Sequence, residues 1–165
     1  MDLTIKKEID IYGIGQGDVL QTESFRMECI YPMNEQTGLT GNASSLVMIA
    51  EYDEFRGVFT GDIEAEGEQR LVDEYETSPL FGQKKCNFLK VAHHGSATST
   101  SGEFLRWSKP EYAIISCGEN SIYGHPHREV ITRLETEGIP YRITYEAGAI
   151  KWTTDIPHPM LQSVR

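Results

Sequence analysis

Apolar positions along this chain fall into short runs whose spacing switches between two and about 3.6 residues. Phe25-Arg26-Met27-Glu28-Cys29-Ile30 alternates apolar and polar side chains and stops at Tyr31-Pro32, the pattern of a half-buried strand. After a turn-rich loop at 38–41, residues 45–52 and 56–60 predict a hairpin around Asp53-Glu54. Ile63, Leu71, Val72 and Tyr75 share one face of a helix expected over 63–76. Asp62 stands at its N-cap position, with Glu64 and Glu66 near its positive end.

A strand at 87–92 follows, then a polar loop at 93–101 and a short helix at 102–108. A strand at 111–116, a loop at 117–126 and a helix at 127–137 come next; Gly138 and Pro140 end the helix. Residues 141–145 and 149–154 predict a closing hairpin turned at Glu146-Ala147-Gly148. Strands and helices in turn predict an α/β (α+β) fold, a sheet covered by helices. No repeat or low-complexity linker interrupts it, so residues 1–165 read as a single domain.

Composition narrows the function. The 165 residues carry a formal charge of −10 and are 39% hydrophobic, an ordinary soluble globular balance. No apolar run approaches the ~20 residues of a membrane helix, and the N-terminus lacks the apolar core of a signal peptide. Residues 1–82 hold 5 basic and 17 acidic side chains, whereas residues 83–165 hold 10 and 8. Such acidity argues against gripping nucleic acid by bulk positive charge. Cys29, Cys86 and Cys117 are odd in number, widely spaced and beside apolar stretches, so they read as small buried hydrophobes.

Candidate chemistry sits just past predicted strands, where a rigid sheet aims loop side chains. Thr60-Gly61-Asp62 places a carboxylate that can cap the next helix or ligate a metal. His93-His94-Gly95-Ser96 ends an apolar strand; adjacent histidines there point to opposite sides, so one can face a cleft. His125 and His127 flank Pro126 ahead of a helix, where histidines can donate to an anion. His127 also reads as a simple neighbour of the helix cap, and His158 carries no role. Gly13-Ile14-Gly15-Gln16-Gly17-Asp18 lacks a Walker lysine and a following periodic helix, so it reads as a turn. Asn42-Ala43-Ser44 is a formal glycosylation sequon with no secretory signal to support it.

In order along the chain stand Asn42-x-x-Ser45-Leu46-Val47, Phe59-Thr60-Gly61-Asp62-Ile63-Glu64 and Leu89-Lys90-Val91-Ala92-His93-His94-Gly95-Ser96-x-x-Ser99. Ala113-Ile114-Ile115-Ser116-x-Gly118-x-Asn120-x-x-Tyr123-Gly124-His125-Pro126 completes the series. Over roughly residues 20–153 this resembles the C-terminal metallo-β-lactamase-type domain of ComEC-type DNA-internalisation competence proteins. The resemblance implies part of an αββα sandwich with a mixed sheet, and a site for two divalent metals, zinc or manganese. Asp62 would bridge the metals, and His93 or His94 would ligate one. His125 would act at the scissile phosphate as a catalytic residue. Ser96, Asn120 and Tyr123 would contact substrate. The implied activity is hydrolysis of DNA phosphodiesters, within a bacterial cell-membrane protein that takes up single-stranded DNA.

The family's H-x-[HD]-x-D-H motif is absent, since no histidine precedes His93. The chain therefore reads as the C-terminal portion of that domain. It is expected to bind no metal or one weakly, to lack nuclease activity alone, and to insert into no membrane itself. Gly15-Gln16-Gly17-Asp18 also resembles the family's D-V-G-Q-G-D opening, which would instead place an internal deletion here. Two further readings remain: a stand-alone hydrolase of small phosphodiesters, and a non-catalytic module that packs on the remainder of a parent chain or self-associates as a homo-oligomer. An uncovered sheet face would favour association.

Overall fold

The structure, a computed structural model, describes residues 10, 12–35, 38–76, 85–153 and 160–164, the last stretch in its backbone alone. Seven strands form one mixed sheet in sequence order: β1 Val19–Gln21, β2 Phe25–Tyr31, β3 Val47–Tyr52, β4 Phe55–Phe59, β5 Phe88–Lys90, β6 Ala113–Ile115 and β7 Tyr141–Ile143. β1 to β4 are antiparallel neighbours, and β4 to β7 run parallel. Helices α1 Ala65–Tyr75, α2 Gly102–Ser108 and α3 Arg128–Thr136 are the crossovers between successive parallel strands. Right-handed crossovers advancing in one direction place every helix on the same sheet face. The core confirms that placement: Val58, Leu89 and Ile115 of the sheet share a buried cluster with Leu71, Phe104 and Leu134 of the three helices. A fully buried Leu or Phe stabilises by about 1.5–3 kcal/mol, so this single layer of contacts is the fold's main support.

The mixed sheet agrees with expectation, and the three crossover helices among the described residues cover one face. The opposite face carries Phe55, Gly57 and Phe59 of β4 beside Phe88 of β5. The rings of Phe55 and Phe88 lie 5.9 Å apart, and those of Phe59 and Phe88 5.2 Å apart. A Cβ on Gly57 would sit 2.5 Å from the Phe88 ring, so only glycine lets that ring cross the strand. Trp152 packs onto the same cluster, 5.6 Å from Phe55 and 6.2 Å from Phe88. Leu20, Phe25 and Phe59 remain 55%, 37% and 37% exposed, leaving much of this face apolar and open to water.

Several expectations need correction. The hairpin of 141–154 does not form: β7 joins β6 in parallel, and a single turn, α4 Thr144–Ala147, redirects the chain. β8 Ala149–Thr153 then pairs with β9 Met160–Val164 as a separate two-stranded sheet. Strand β1 was hidden within three residues that pair with β2 without a buried side chain. Asp62 is no helix cap; Glu64 occupies the cap position of α1, with no side-chain hydrogen bond there. Cys29 and Cys86 are buried free thiols, with Cys117 half-buried. Burial pushes the Cys86 thiol up to about 12. The turn at 13–18 is present, closed by the Gly15 amide on the Asp18 carboxylate at 2.8 Å. His158 lies outside the described residues.

Candidate active site

The C-terminal ends of β4, β5 and β6 lie side by side, and each feeds a loop bearing candidate residues. Side chains gathered at such strand ends come from distant sequence yet share one rigid edge. Thr60 Oγ1 donates to the Lys90 carbonyl at 2.7 Å, tying the end of β4 to β5. The Asp62 amide donates to Ser45 Oγ at 3.1 Å, and the His93 amide to the Gly61 carbonyl at 3.0 Å.

His93 and His94 do not continue strand β5, as alternation had implied. They lie in a 3-10 turn over Ala92–Gly95, with φ of 46° and 56°. Two successive non-glycine residues in the left-handed region cost of order 1–3 kcal/mol each, a strain that recurs at functional sites. Gly95 follows at φ 86°, and a Cβ there would meet Pro126 Cβ at 2.7 Å. Only glycine therefore lets the 125–127 segment lie against the histidine turn. The His127 amide donates to the Gly95 carbonyl at 2.8 Å, and His127 Nδ1 accepts from the Ala97 amide at 2.9 Å.

These supports bring four side chains together. His94 Nδ1 lies 2.7 Å from the Ser116 carbonyl. A carbonyl can only accept, so Nδ1 carries the proton and Nε2 is left facing Asp62 Oδ1 at 3.7 Å. His93 Nδ1 sits 3.6 Å from Glu64 Oε1, buried and without a hydrogen-bond partner. The His125 ring lies 5.6 Å from His93, 6.3 Å from His94 and 4.9 Å from His127. Burial, then the charges of His127, His93 and His94, push the His125 imidazole below its usual value; Asp62 pulls it back up. Lys90, half-buried on β5, is lowered by burial and opposed by the charge of Asp62.

A cleft of about 700 Å³ is lined by Asp62, His93, His94, His125, Asn120 and Tyr123, among others. Ser96 does not line it: this residue is buried, and its hydroxyl pairs with Thr98 Oγ1 at 3.0 Å.

Sequence reasoning missed the device that holds the histidine turn from behind. Glu68 of α1, fully buried, accepts from the Thr100 amide at 2.5 Å and the Ser101 amide at 2.8 Å. Arg133 of α3 donates to the carbonyls of Ser99, Thr100 and Ala97 at 2.6, 3.3 and 2.9 Å. The Thr100 hydroxyl in turn accepts from the Ala92 amide at 3.2 Å, where the histidine turn begins. Burial raises the Glu68 carboxyl above its ordinary range, against the two amides and the Arg133 charge that lower it. In sequence, Glu68 was one acid among many on an acidic helix, and nothing local marked it.

The donors do not amount to a complete metal centre. Among the described residues no three His, Cys, Asp or Glu side chains come together as a group able to hold an ion. The unpartnered His93 Nδ1 and the approach of His94 Nε2 to Asp62 supply donors of the right chemistry, but too few.

Comparison with known proteins gives the chain its relatives. The chain is 35% identical over 144 residues to ComE operon protein 3 of Bacillus subtilis, which covers 87% of this chain and 18% of that protein. It is 34% identical to competence protein ComA of Neisseria gonorrhoeae over 72% of this chain and 16% of that one. This chain is homologous to a stretch of the ComEC-type competence proteins. It spans less than a fifth of the length of either competence protein. Recombination protein 2 of Haemophilus influenzae matches 67% of the chain at 36% identity. The fold resembles that of a protein from Parabacteroides distasonis assigned as a metal-dependent hydrolase, with a TM-score of 0.50 and 15% identity, over 88% of this chain and 62% of that one. No protein-family model matches the chain.

Proposed function

We propose that this competence-protein homologue is the C-terminal portion of a metallo-β-lactamase-like domain that serves DNA uptake through metal-dependent phosphodiester hydrolysis. The observation that carries the reading is the meeting of Asp62, His93, His94 and His125 from three strand-end loops in one cleft. Their donors suit a divalent cation such as zinc or manganese and a phosphate. The ligand set among the described residues is incomplete, and on this reading the chain alone hydrolyses no DNA and holds at most one metal weakly. In the intact system the substrate would be single-stranded DNA, and the remaining ligands would come from the rest of a membrane-bound parent protein. No helix among the described residues is long and apolar enough to cross a membrane.

The exposed apolar sheet face favours a second role beside the first: it is the surface on which the remainder of a parent chain, or a second copy, would pack.

Cleavage of a labelled single strand, with zinc or manganese added, tests the reading. The 165-residue chain should cut no faster than its Asp62→Ala variant. Metal-dependent cutting should appear when a polypeptide carrying the H-x-[HD]-x-D-H motif of a relative is supplied, and should fall at least ~100-fold with Asp62→Ala. Asp62-dependent cutting by the chain alone would show its ligand set to be complete. Failure to cut even with the added motif would overturn the assignment.

A further inference from the structure

Beyond the cluster around Asp62, the mouth of the cleft carries two large side chains in water. Tyr123 is 71% exposed and Ile122 is 89% exposed, the most exposed apolar pair beside any candidate residue. Their loop is not slack: the Tyr123 amide donates to Ser121 Oγ at 3.3 Å, and the Gly124 amide to the Ser121 carbonyl at 2.9 Å. Tyr123 also stands in register with the histidines. Its ring lies 5.8 Å from His125 at an interplanar angle of 27°, and His125 lies 6.3 Å from His94 at 20°. Three near-parallel rings thus step outward from Asp62 to solvent, with Tyr123 at the outer end.

We propose that Tyr123, flanked by Ile122, is a stacking platform for a base of single-stranded DNA, holding the strand at the mouth of the cleft that Asp62 and His125 line. The inference rests on the DNA reading above and names how the strand is held. An aromatic face exposed beside further planar rings is what an unpaired base stacks on, whatever its identity. Electrostatics point the same way. The chain carries a net charge of −10, Asp62 lines the cleft and Glu64 stands beside His93, so phosphate contacts alone give little grip. The base must then supply the affinity, and binding should depend only weakly on salt.

The test titrates the 165-residue chain, labelled in its aromatic rings, with a short thymidine oligonucleotide and with an abasic strand of equal length, following Tyr and His signals by NMR. Tyr123 is mostly exposed, so Tyr123→Ala should stay folded, and Tyr123→Phe tests rescue. The expected result is that the thymidine strand shifts the Tyr123 and His125 rings and binds at least ~5-fold more weakly to Tyr123→Ala. Tyr123→Phe should retain the wild-type affinity, and the abasic strand should bind the wild-type chain as weakly as the thymidine strand binds Tyr123→Ala. Equal binding of the thymidine strand to wild type and Tyr123→Ala, or equal binding of both strands to wild type, would overturn the platform while leaving the DNA reading standing. Binding of neither strand would overturn both.

Discussion

At the scale of single residues, the site is set by protons as much as by positions. The Ser116 carbonyl holds the His94 proton on Nδ1, and the Ala97 amide makes His127 Nδ1 an acceptor, so both rings have a fixed tautomer. His125, between them, is depressed by burial and by its three histidine neighbours, with Asp62 opposing. A depressed folded value means that the native state binds its proton later than the unfolded chain. Stability linked to His125 is therefore present above the ordinary value of about 6.5 and is lost as pH falls through the folded value. The His125 midpoint followed by NMR should lie below that ordinary value and move lower still in Asp62→Asn. A midpoint at or above it, or one unmoved by Asp62→Asn, would contradict this arrangement.

The four residues were legible because each follows a strand signal and a glycine or histidine stands beside it. The tautomers of His94 and His127 were not, because they depend on a carbonyl and an amide 22 or more residues away.

At the scale of elements, the strands and crossover helices followed from periodicity, while the way the helices brace the site did not. α1 and α3 reach the histidine turn through Glu68 and Arg133, across 32 to 36 residues of sequence. Removing the Glu68 carboxylate leaves the Thr100 and Ser101 amides without their acceptor and opens space in the core. Glu68→Ala should cost about 2–4 kcal/mol in chemical denaturation. A loss under about 0.5 kcal/mol would mean that the loop is held by other means. The misread 141–154 segment has a similar cause. A Glu-Ala-Gly turn signal is compatible with a hairpin or with one helical turn, and the parallel pairing of β7 with β6 decided between them. Composition could not reveal that pairing, because parallel neighbours are joined through a helix rather than through a turn.

At the scale of the molecule, the described helices lie on one face of the sheet and a cluster of aromatic side chains on the other. The order of the sheet explains the position of the site. Sequential crossovers put Asp62, His93, His94 and His125 at one strand edge, while among the described residues Trp152 packs on the Phe55 and Phe88 side of the sheet. The charge asymmetry acquires a place as well: Asp62 comes from the acidic half, and the histidines come from the near-neutral half. The central claim is that these groups form one cation-seeking corner rather than a general acidic surface. Paramagnetic broadening of the chain's NMR signals by Mn²⁺ tests it most directly. Broadening should centre on Asp62, His93, His94 and His125 and disappear in Asp62→Ala. Broadening spread over the acidic residues of α1, or unchanged by Asp62→Ala, would contradict it.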